Sequence, residues 1–274
     1  MKSFLMSLLL LTTSFTFAQQ HELVKLWETD TLLKTPESAL PYKKRGVIFV
    51  SNIDGKPAEK DGKGSVGKVG YDGKIIVTDW VSGLNAPKGM GIYKNNLYVA
   101  DLSEVVVIDI KKGKITNRIP VEGATFLNDI AVDNNGIVYV SDTRKFTVHK
   151  IENGAATLYL DKLKAPNGLY CDKDTLYVLD KGYLLKVDKK KQITTVADGM
   201  DPSTDGLEKV VDGEFLVTSW AGICYYVKAD GSKQVLFDNR TKKIYSADIG
   251  FDKKTRIVYV PTFYGNKIVA YQLK

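Results

Sequence analysis

The sequence predicts an all-β protein that is built from one repeated unit. After residue 18, apolar residues alternate with polar ones or form short runs of β-branched and aromatic residues, and turns rich in Gly, Asn, Asp and Lys separate these runs. A related segment also recurs six times along the chain. The composition, with 44% hydrophobic and 26% charged residues and two Cys, excludes a disordered, a collagen-like and a disulfide-rich chain.

The N-terminal segment, residues 1–18, has the pattern of a secretory signal peptide. Lys2 precedes an apolar run at residues 4–11, which is too short to span a bilayer of about 30 Å. Thr16 and Ala18 are the small residues that a signal peptidase requires, so we expect cleavage after Ala18. No Cys follows the cleavage site to carry a lipid. The expected mature protein is periplasmic or secreted and has no membrane anchor.

Each copy of the repeat has an anchor residue, a strand, a turn and a second strand. The copy from Lys164 to Asp180 reads Lys-Ala-Pro-Asn-Gly-Leu-Tyr-Cys-Asp and then, after a turn, Thr-Leu-Tyr-Val-Leu-Asp. The anchors, spaced by 51, 40, 39, 38 and 42 residues, are Glu37, Lys88, Asn128, Asn167, Asp205 and Ala247. This spacing is the period of a four-stranded propeller blade. The sequence therefore predicts one domain at residues 19–274, a six-bladed β-propeller with four-stranded antiparallel blades.

We expect the two ends of the domain to close the ring. An N-terminal strand at residues 22–29 would join the last blade beside a C-terminal strand at residues 267–273, and closure removes unpaired strand edges. The long first spacing comes from an insertion at residues 54–64, whose Gly, Lys and Asp content is typical of a loop. The formal charge is +7, but no helix carries the lysines and no aromatic residues interleave with them. We therefore expect no nucleic-acid partner.

The anchors predict a metal site. Because each anchor begins the strand nearest the axis, the anchor side chains should converge at one end of the channel, which we call the top. Two carboxylates and two amides among them, Glu37, Asp205, Asn128 and Asn167, would be costly to bury unpaired. Their oxygens suit a divalent cation, with Ca²⁺ fitting best, whereas the anchors hold no His or Cys for Zn²⁺. The alternative is that the anchors only cap strands and turns.

The motifs around four anchors carry a family resemblance over the whole mature chain. They are Pro-Glu-Ser at residues 36–38, Leu-Asn-Asp at 127–129, Pro-Asn-Gly at 166–168 and Thr-Asp-Gly at 204–206. This pattern resembles the senescence marker protein, regucalcin and gluconolactonase family. It is similar, more distantly, to the calcium-dependent phosphotriesterases and the paraoxonases.

The resemblance implies a divalent metal bound by Glu37, Asn167 and Asp205. It also implies that Asn128 completes the metal shell or contacts substrate, and that Asp205 is the catalytic base that directs water at a lactone carbonyl. The implied activity is therefore metal-dependent hydrolysis of a sugar lactone or a related ester, with a small molecule as substrate.

Two positions depart from the family pattern. The sugar lactonases hold their substrate with an Arg two residues before the third-blade Asn, where this chain has Phe126. In the paraoxonases a His assists the water, whereas His21 and His149 are the two His residues of this chain and neither aligns with an anchor.

Lys88 is open to three interpretations. Its side chain turns outward from an occupied metal site, or it pairs with Glu37 in a metal-free channel. In the third interpretation it acts as a base or an electrophile with a depressed pKa.

Aromatic residues on the top loops either wall a pocket, with the insertion as its lid, or pack between blades. They are Phe146, Tyr183, Trp220, Phe263 and Tyr264. The candidate substrate contacts are therefore Lys88, Asn128, Tyr183 and Trp220.

A second function class remains open beside the hydrolase. A non-catalytic propeller, like those with NHL repeats, would bind a peptide, a glycan or a protein partner on its top face. The missing Arg and His favour binding, whereas the complete set of Glu, Asn, Asn and Asp anchors favours metal chemistry. Metal analysis, followed by a panel of lactones with and without chelator, separates the two classes.

Overall fold

The computed structural model describes residues 20–274, so the predicted signal peptide lies outside the described residues. Six four-stranded antiparallel sheets form the six blades of a ring, which confirms the predicted fold class. No helix within the described residues is long and apolar enough to cross a membrane.

Each blade consists of an inner strand at the channel, two middle strands and an outer strand. Blade 1 comprises β2 (Pro36–Tyr42), β3 (Val47–Asn52), β4 (Gly64–Gly70) and β5 (Ile75–Leu84). Blade 2 comprises β6 (Pro87–Tyr93), β7 (Asn96–Asp101), β8 (Glu104–Asp109) and β9 (Lys114–Pro120). Blade 3 comprises β10 (Leu127–Val132), β11 (Val138–Asp142), β12 (Thr147–Glu152) and β13 (Ala155–Leu160).

The remaining three blades follow the same order. Blade 4 comprises β14 (Pro166–Asp172), β15 (Thr175–Asp180), β16 (Tyr183–Val187) and β17 (Ile193–Ala197). Blade 5 comprises β18 (Thr204–Val211), β19 (Glu214–Ser219), β20 (Ile223–Val227) and β21 (Lys233–Asp238). Blade 6 comprises β22 (Gly250–Asp252), β23 (Ile257–Pro261), β24 (Ile268–Leu273) and β1 (Leu23–Glu28). Short 3-10 helices lie at Lys43–Arg45, Arg240–Lys242 and Phe263–Gly265.

The two ends of the described chain close the ring as predicted. Strand β1 pairs antiparallel with β24, from Leu23 opposite Leu273 to Glu28 opposite Val269. The core lies between neighbouring blades. For example, Phe49 and Leu84 of blade 1 pack with Leu97 of blade 2, and all three are fully buried. Each such side chain contributes about 1.5–3 kcal/mol to folding.

Five inner strands begin with the same irregularity. In blade 2, Pro87 lies opposite Asp101, but the register shifts before Met90 pairs with Val99. Corresponding shifts occur at the starts of β2, β10, β14 and β18. Such bulges interrupt the ladder and redirect side chains. The second residue of each of these five strands is the anchor, so the bulges place the anchors at the top of the channel.

Glycines allow the inner strands to approach one another closely. Gly89, Gly168 and Gly206 each follow an anchor. A Cβ at Gly168 would lie 2.2 Å from the carbonyl oxygen of Asp205, and one at Gly206 would lie 2.4 Å from the amide nitrogen of Ile249. Larger residues would therefore push neighbouring blades apart and widen the ring of anchors.

Blade 6 departs from this pattern. Its inner strand β22 is only three residues long, and the sixth anchor, Ala247, precedes it and is buried in the core. The amide of Asp248 donates to the carbonyl oxygen of Glu37 at 2.9 Å, and Ser38 and Asp248 form a parallel bridge. These contacts close the inner ring between blades 6 and 1.

Candidate functional site

A cleft of about 300 Å³ at the top of the channel contains five of the six anchors. The anchors that line it are Glu37, Lys88, Asn128, Asn167 and Asp205. The other lining residues are Pro57, Phe126, Thr143, Ala165, Pro202, Ser203, Thr204, Trp220 and Phe263. Four of the anchors are only 2–7% exposed, and Asn167 is half-buried. The cleft thus brings carboxylate, amide and ammonium groups together among largely apolar walls.

Hydrogen bonds orient the two amides. Asn167 Nδ2 donates to Asp205 Oδ1 at 3.0 Å, and Asn128 Nδ2 donates to Thr143 Oγ1 at 3.0 Å. Thr143 in turn donates to the carbonyl oxygen of Pro166 at 2.8 Å. Since each amide uses its nitrogen as a donor, its oxygen is turned away from that contact and is available as a ligand.

Two of the anchor oxygens are buried without any hydrogen-bond partner. They are Glu37 Oε2 and Asn167 Oδ1. Leaving a buried acceptor unsatisfied costs about 1–3 kcal/mol, and more for a charged group. A hard cation that is coordinated by oxygen would satisfy both atoms, so these residues fit a divalent metal.

The donor set for such a metal has to include amides. Within residues 20–274, no three side chains of the His, Cys, Asp and Glu types are grouped so that they could hold a metal by themselves. Glu37 and Asp205 would supply two charges, and Asn128 and Asn167 would supply neutral oxygens. This chemistry suits Ca²⁺, which accepts carboxylate and amide oxygens alike.

Lys88 forms no ion pair with the anchor carboxylates. Its Nζ donates to the carbonyl oxygens of Ala86 at 2.9 Å and Pro57 at 3.1 Å, and it lies 4.4 Å from the centroid of the Phe126 ring. Among the described residues, no carboxylate lies within 4.0 Å of this ammonium, Glu37 included. Burial lowers the pKa of Lys88 to about 8. The geometry does not show the pairing with Glu37, and Lys88 remains buried where it lines the cleft.

The predicted lid and aromatic wall are partly present. Pro57, in the insertion between β3 and β4, lines the cleft and accepts a hydrogen bond from Lys88. Trp220 and Phe263 also line the cleft, and their ring centroids are 5.8 Å apart. The aromatic residues Phe146 and Tyr264 are exposed.

Tyr183 is not among the described residues that line the cleft. Its ring is partly buried and packs against the core between blades 3 and 4, with Lys164 Nζ 4.1 Å from the ring centroid.

A second level of carboxylates lies directly after the anchors, and the sequence reasoning did not assign it. Asp129 accepts from the amides of Ile130 and Leu169, both at 2.6 Å, and so links blade 3 to blade 4. Asp248 accepts from Ser38 Oγ at 2.5 Å, and so links blade 6 to blade 1. The sequence does indicate that these two positions are unusual, because three other blades have Gly directly after the anchor.

The channel holds five carboxyl groups whose pKa values are all raised, mainly by burial. The pKa values of Glu37, Asp129 and Asp205 lie well above their ordinary range, and mutual repulsion adds to the effect of burial. The pKa of Asp248 is raised to about 7 and that of Glu208 to about 8. Without a cation, several of these groups therefore hold protons near neutral pH.

This arrangement predicts that the metal-free protein loses stability as the pH rises. A carboxyl whose pKa is raised by folding binds more protons in the folded state than in the unfolded state. Its stabilising effect is therefore present at acidic pH and is lost as the pH rises through the pKa of the folded state. Between pH 5 and pH 8.5, the pKa of about 7 at Asp248 alone should lower the free energy of unfolding in chelator by roughly 2–3 kcal/mol, and the other four carboxyls add to this fall. Denaturant titrations at several pH values measure this slope, which Asp248→Asn should reduce. A free energy of unfolding that rises over this range would contradict the prediction.

The architecture agrees with solved structures of two lyases. A streptogramin B lyase superposes with a TM-score of 0.67 at 12% identity, over 93% of this chain and 98% of that one. The chain has the six-bladed β-propeller fold. An inactive variant of virginiamycin B lyase from Staphylococcus aureus, with quinupristin, gives 0.66 at 15% identity over 92% and 99%. Selenomethionine-substituted virginiamycin B lyase from Staphylococcus aureus gives 0.64 at 14% identity over the same shares.

At 12–15% sequence identity, the similarity to these structures shows the fold and does not extend to the activity. No protein-family model matches the chain, and no curated protein sequence matches it.

Proposed function

We propose that this propeller is an exported, metal-dependent hydrolase of a lactone or a related ester, similar to the gluconolactonases. The observation that carries the proposal is the pair of buried, unpartnered oxygens, Glu37 Oε2 and Asn167 Oδ1, in a cleft with apolar walls. Glu37, Asn128, Asn167 and Asp205 would hold the cation, with Ca²⁺ the best fit. When bound, the cation supplies polarisation of the scissile carbonyl and makes water more acidic.

The residues of the cleft support separate roles in such a reaction. Asp205 is the proposed base. Asn167 fixes its Oδ1, and no described hydrogen bond occupies its Oδ2, which is free to take a proton from water. Burial and the neighbouring Asp248 raise the pKa of Asp205 in the metal-free cleft, and a bound cation would lower it again, so that the carboxylate is ionised and able to accept a proton. Asn128, whose side chain is held by Thr143, is the proposed residue that orients the substrate carbonyl or completes the cation's shell.

The residues do not favour the lyase activity of the structural neighbours. The inactive form of virginiamycin B lyase is a variant in which a His is replaced by Ala. In this chain His21 stacks on Tyr226 and His149 bonds Thr147 on β12, and neither lines the cleft. Hydrolysis supported by oxygen ligands and a carboxylate base therefore fits the cleft better.

Metal analysis and a lactone panel test the proposal. We expect the purified mature protein to retain about one equivalent of Ca²⁺ or a similar ion. It should hydrolyse at least one lactone or ester, lose that activity in chelator and regain it when calcium is added. Bound metal without any hydrolysis would favour the binding propeller, and the absence of both metal and hydrolysis would remove the proposal.

A further inference from the structure

The Phe126 wall of the cleft carries two cations. Lys88 Nζ lies 4.4 Å and Arg144 Cζ lies 4.2 Å from the centroid of the Phe126 ring. Phe126 lines the cleft, and Arg144 comes from the loop that joins β11 to β12 at the top of the same blade. We call Lys88, Phe126 and Arg144 the cationic wall.

Neither cation of this wall has a carboxylate partner among the described residues. The ammonium of Lys88 donates only to backbone carbonyl oxygens. The guanidinium of Arg144 makes no described hydrogen bond or ion pair, although the backbone amide of Arg144 donates to Asp142. In contrast, Arg118 pairs with Glu104 and Arg240 pairs with Asp238. Arg144 is exposed and is not among the described residues that line the cleft, but its stacking on Phe126 holds the guanidinium beside a ring that lines the cleft, with its donors unused.

A bound divalent cation would increase the demand for an anion in the cleft. Two charges on the ion balance Glu37 and Asp205, so neither carboxylate is left to compensate the Arg144 guanidinium, which stays charged, or whatever charge Lys88 retains. A guanidinium presents parallel N–H donors that match a carboxylate in a bidentate pair. Trp220 and Phe263, which also line the cleft, offer apolar surface and carry no charge.

We propose that the cationic wall binds a carboxylate group of the substrate, so that the substrate class is a lactone or ester that carries an acid at one end and an apolar group at the other. This inference rests on the proposed function for the identity of the reaction, but not for anion binding itself. Arg144 is the residue of the cationic wall that gives specificity for a substrate with a carboxylate. The sugar lactonases have an Arg at the position that Phe126 occupies in this chain. Arg144 supplies a cation next to that position.

A matched pair of probes tests anion binding directly. Phenylacetate and phenylacetamide have the same shape and differ in charge, and titrations followed by ligand-observed NMR in saturating calcium measure both dissociation constants. We expect the wild type to bind phenylacetate at least tenfold more tightly than the amide, and Arg144→Gln to lower that preference about tenfold. Lys145→Gln removes a neighbouring exposed charge from the same loop and should leave the preference intact. Equal binding of the two probes, or equal effects of the two variants, would overturn the inference.

Measurements of ester hydrolysis distinguish a failure of this inference from a failure of the proposed function. With a pair of esters that differ only in a free or an amidated acid, Arg144→Gln should raise KM for the acidic ester about tenfold and change kcat little. If Arg144-dependent binding of phenylacetate occurs without hydrolysis of any lactone or ester, the hydrolase fails and the cationic wall stands. If the neutral ester is hydrolysed as well as the acidic one, the hydrolase stands and the cationic wall fails.

Discussion

Asp205→Asn is expected to abolish stabilisation by calcium while leaving the metal-free protein at least as stable as the wild type. The Asp205 carboxylate supplies one of the two charges that balance the proposed cation, and an amide cannot replace that charge. Without a cation, this buried carboxyl has a pKa raised well above its ordinary value, so its ionised form is unfavourable there. The hydrogen bond from Asn167 persists, because the carbonyl of the new Asn also accepts.

The expected effect is large enough for calorimetry. At a calcium concentration 100 times the Kd, the wild type gains about 2.7 kcal/mol. In a domain of this size that gain raises Tm by about 5–10 °C. If the protein is the proposed hydrolase, Asp205→Asn should also lower kcat by about 10²- to 10⁴-fold, since the base is lost.

Asp129→Asn is the matched control, because it removes a carboxylate one residue further along an inner strand. Both Asp129 oxygens accept backbone amides, so an Asn would leave one amide facing another donor. We expect this variant to have a lower Tm in calcium and in chelator alike, with the calcium increment retained. A calcium increment that survives in Asp205→Asn, or that is lost only in Asp129→Asn, would count against the proposed metal site.

The period of the repeat was sufficient to predict the fold. Anchor spacing near 40 residues and alternating strands are local features, and they require the same blade to form six times. Ring closure by β1 beside β24 followed from the need to cover strand edges. The strand-end residues Asp101 and Asp180 also repeat, and each accepts amides of the loop that leads to its own inner strand. Part of the repeat therefore maintains loop conformation and carries no chemistry.

Side-chain direction within the cleft was not predictable from spacing. The bulges direct the anchor side chains. Three anchors are followed by a glycine, namely Gly89, Gly168 and Gly206, but these glycines indicate the bulges only once the close approach of neighbouring strands is known. Lys88 has the same strand position as Glu37, yet its four-carbon side chain reaches the carbonyl oxygen of Pro57 in a neighbouring blade. Such a contact depends on the path of an eleven-residue loop at residues 53–63, which no period describes.

Lys88→Met is expected to strengthen calcium binding, and the gain should depend on pH. An ammonium near the proposed site opposes a divalent cation, but Lys88 has a pKa of about 8 and can release its proton instead. The cost of that release limits the penalty to about 2.7 kcal/mol at pH 6 and about 1.4 kcal/mol at pH 7, and it is negligible by pH 9. The variant should therefore bind calcium up to about 100-fold more tightly at pH 6, up to about tenfold at pH 7 and equally at pH 9.

Calorimetric titrations of the wild type and Lys88→Met at these pH values measure the ratio of their dissociation constants. Protons on Glu37 and Asp205 compete with calcium in both proteins. Because Lys88 lowers the pKa of both carboxyls, its loss increases this competition in the variant and makes the stated gains upper limits. Lys60→Met is the matched control, because it removes an exposed charge of the insertion whose Nζ contacts Ser103, and it should leave the ratio near one. If Lys88 is instead the partner of Glu37, its loss strands a buried carboxylate, at a cost of roughly 3–5 kcal/mol. A Lys88→Met protein that is destabilised to that extent and indifferent to calcium would therefore exclude the metal site and leave the binding propeller as the better interpretation.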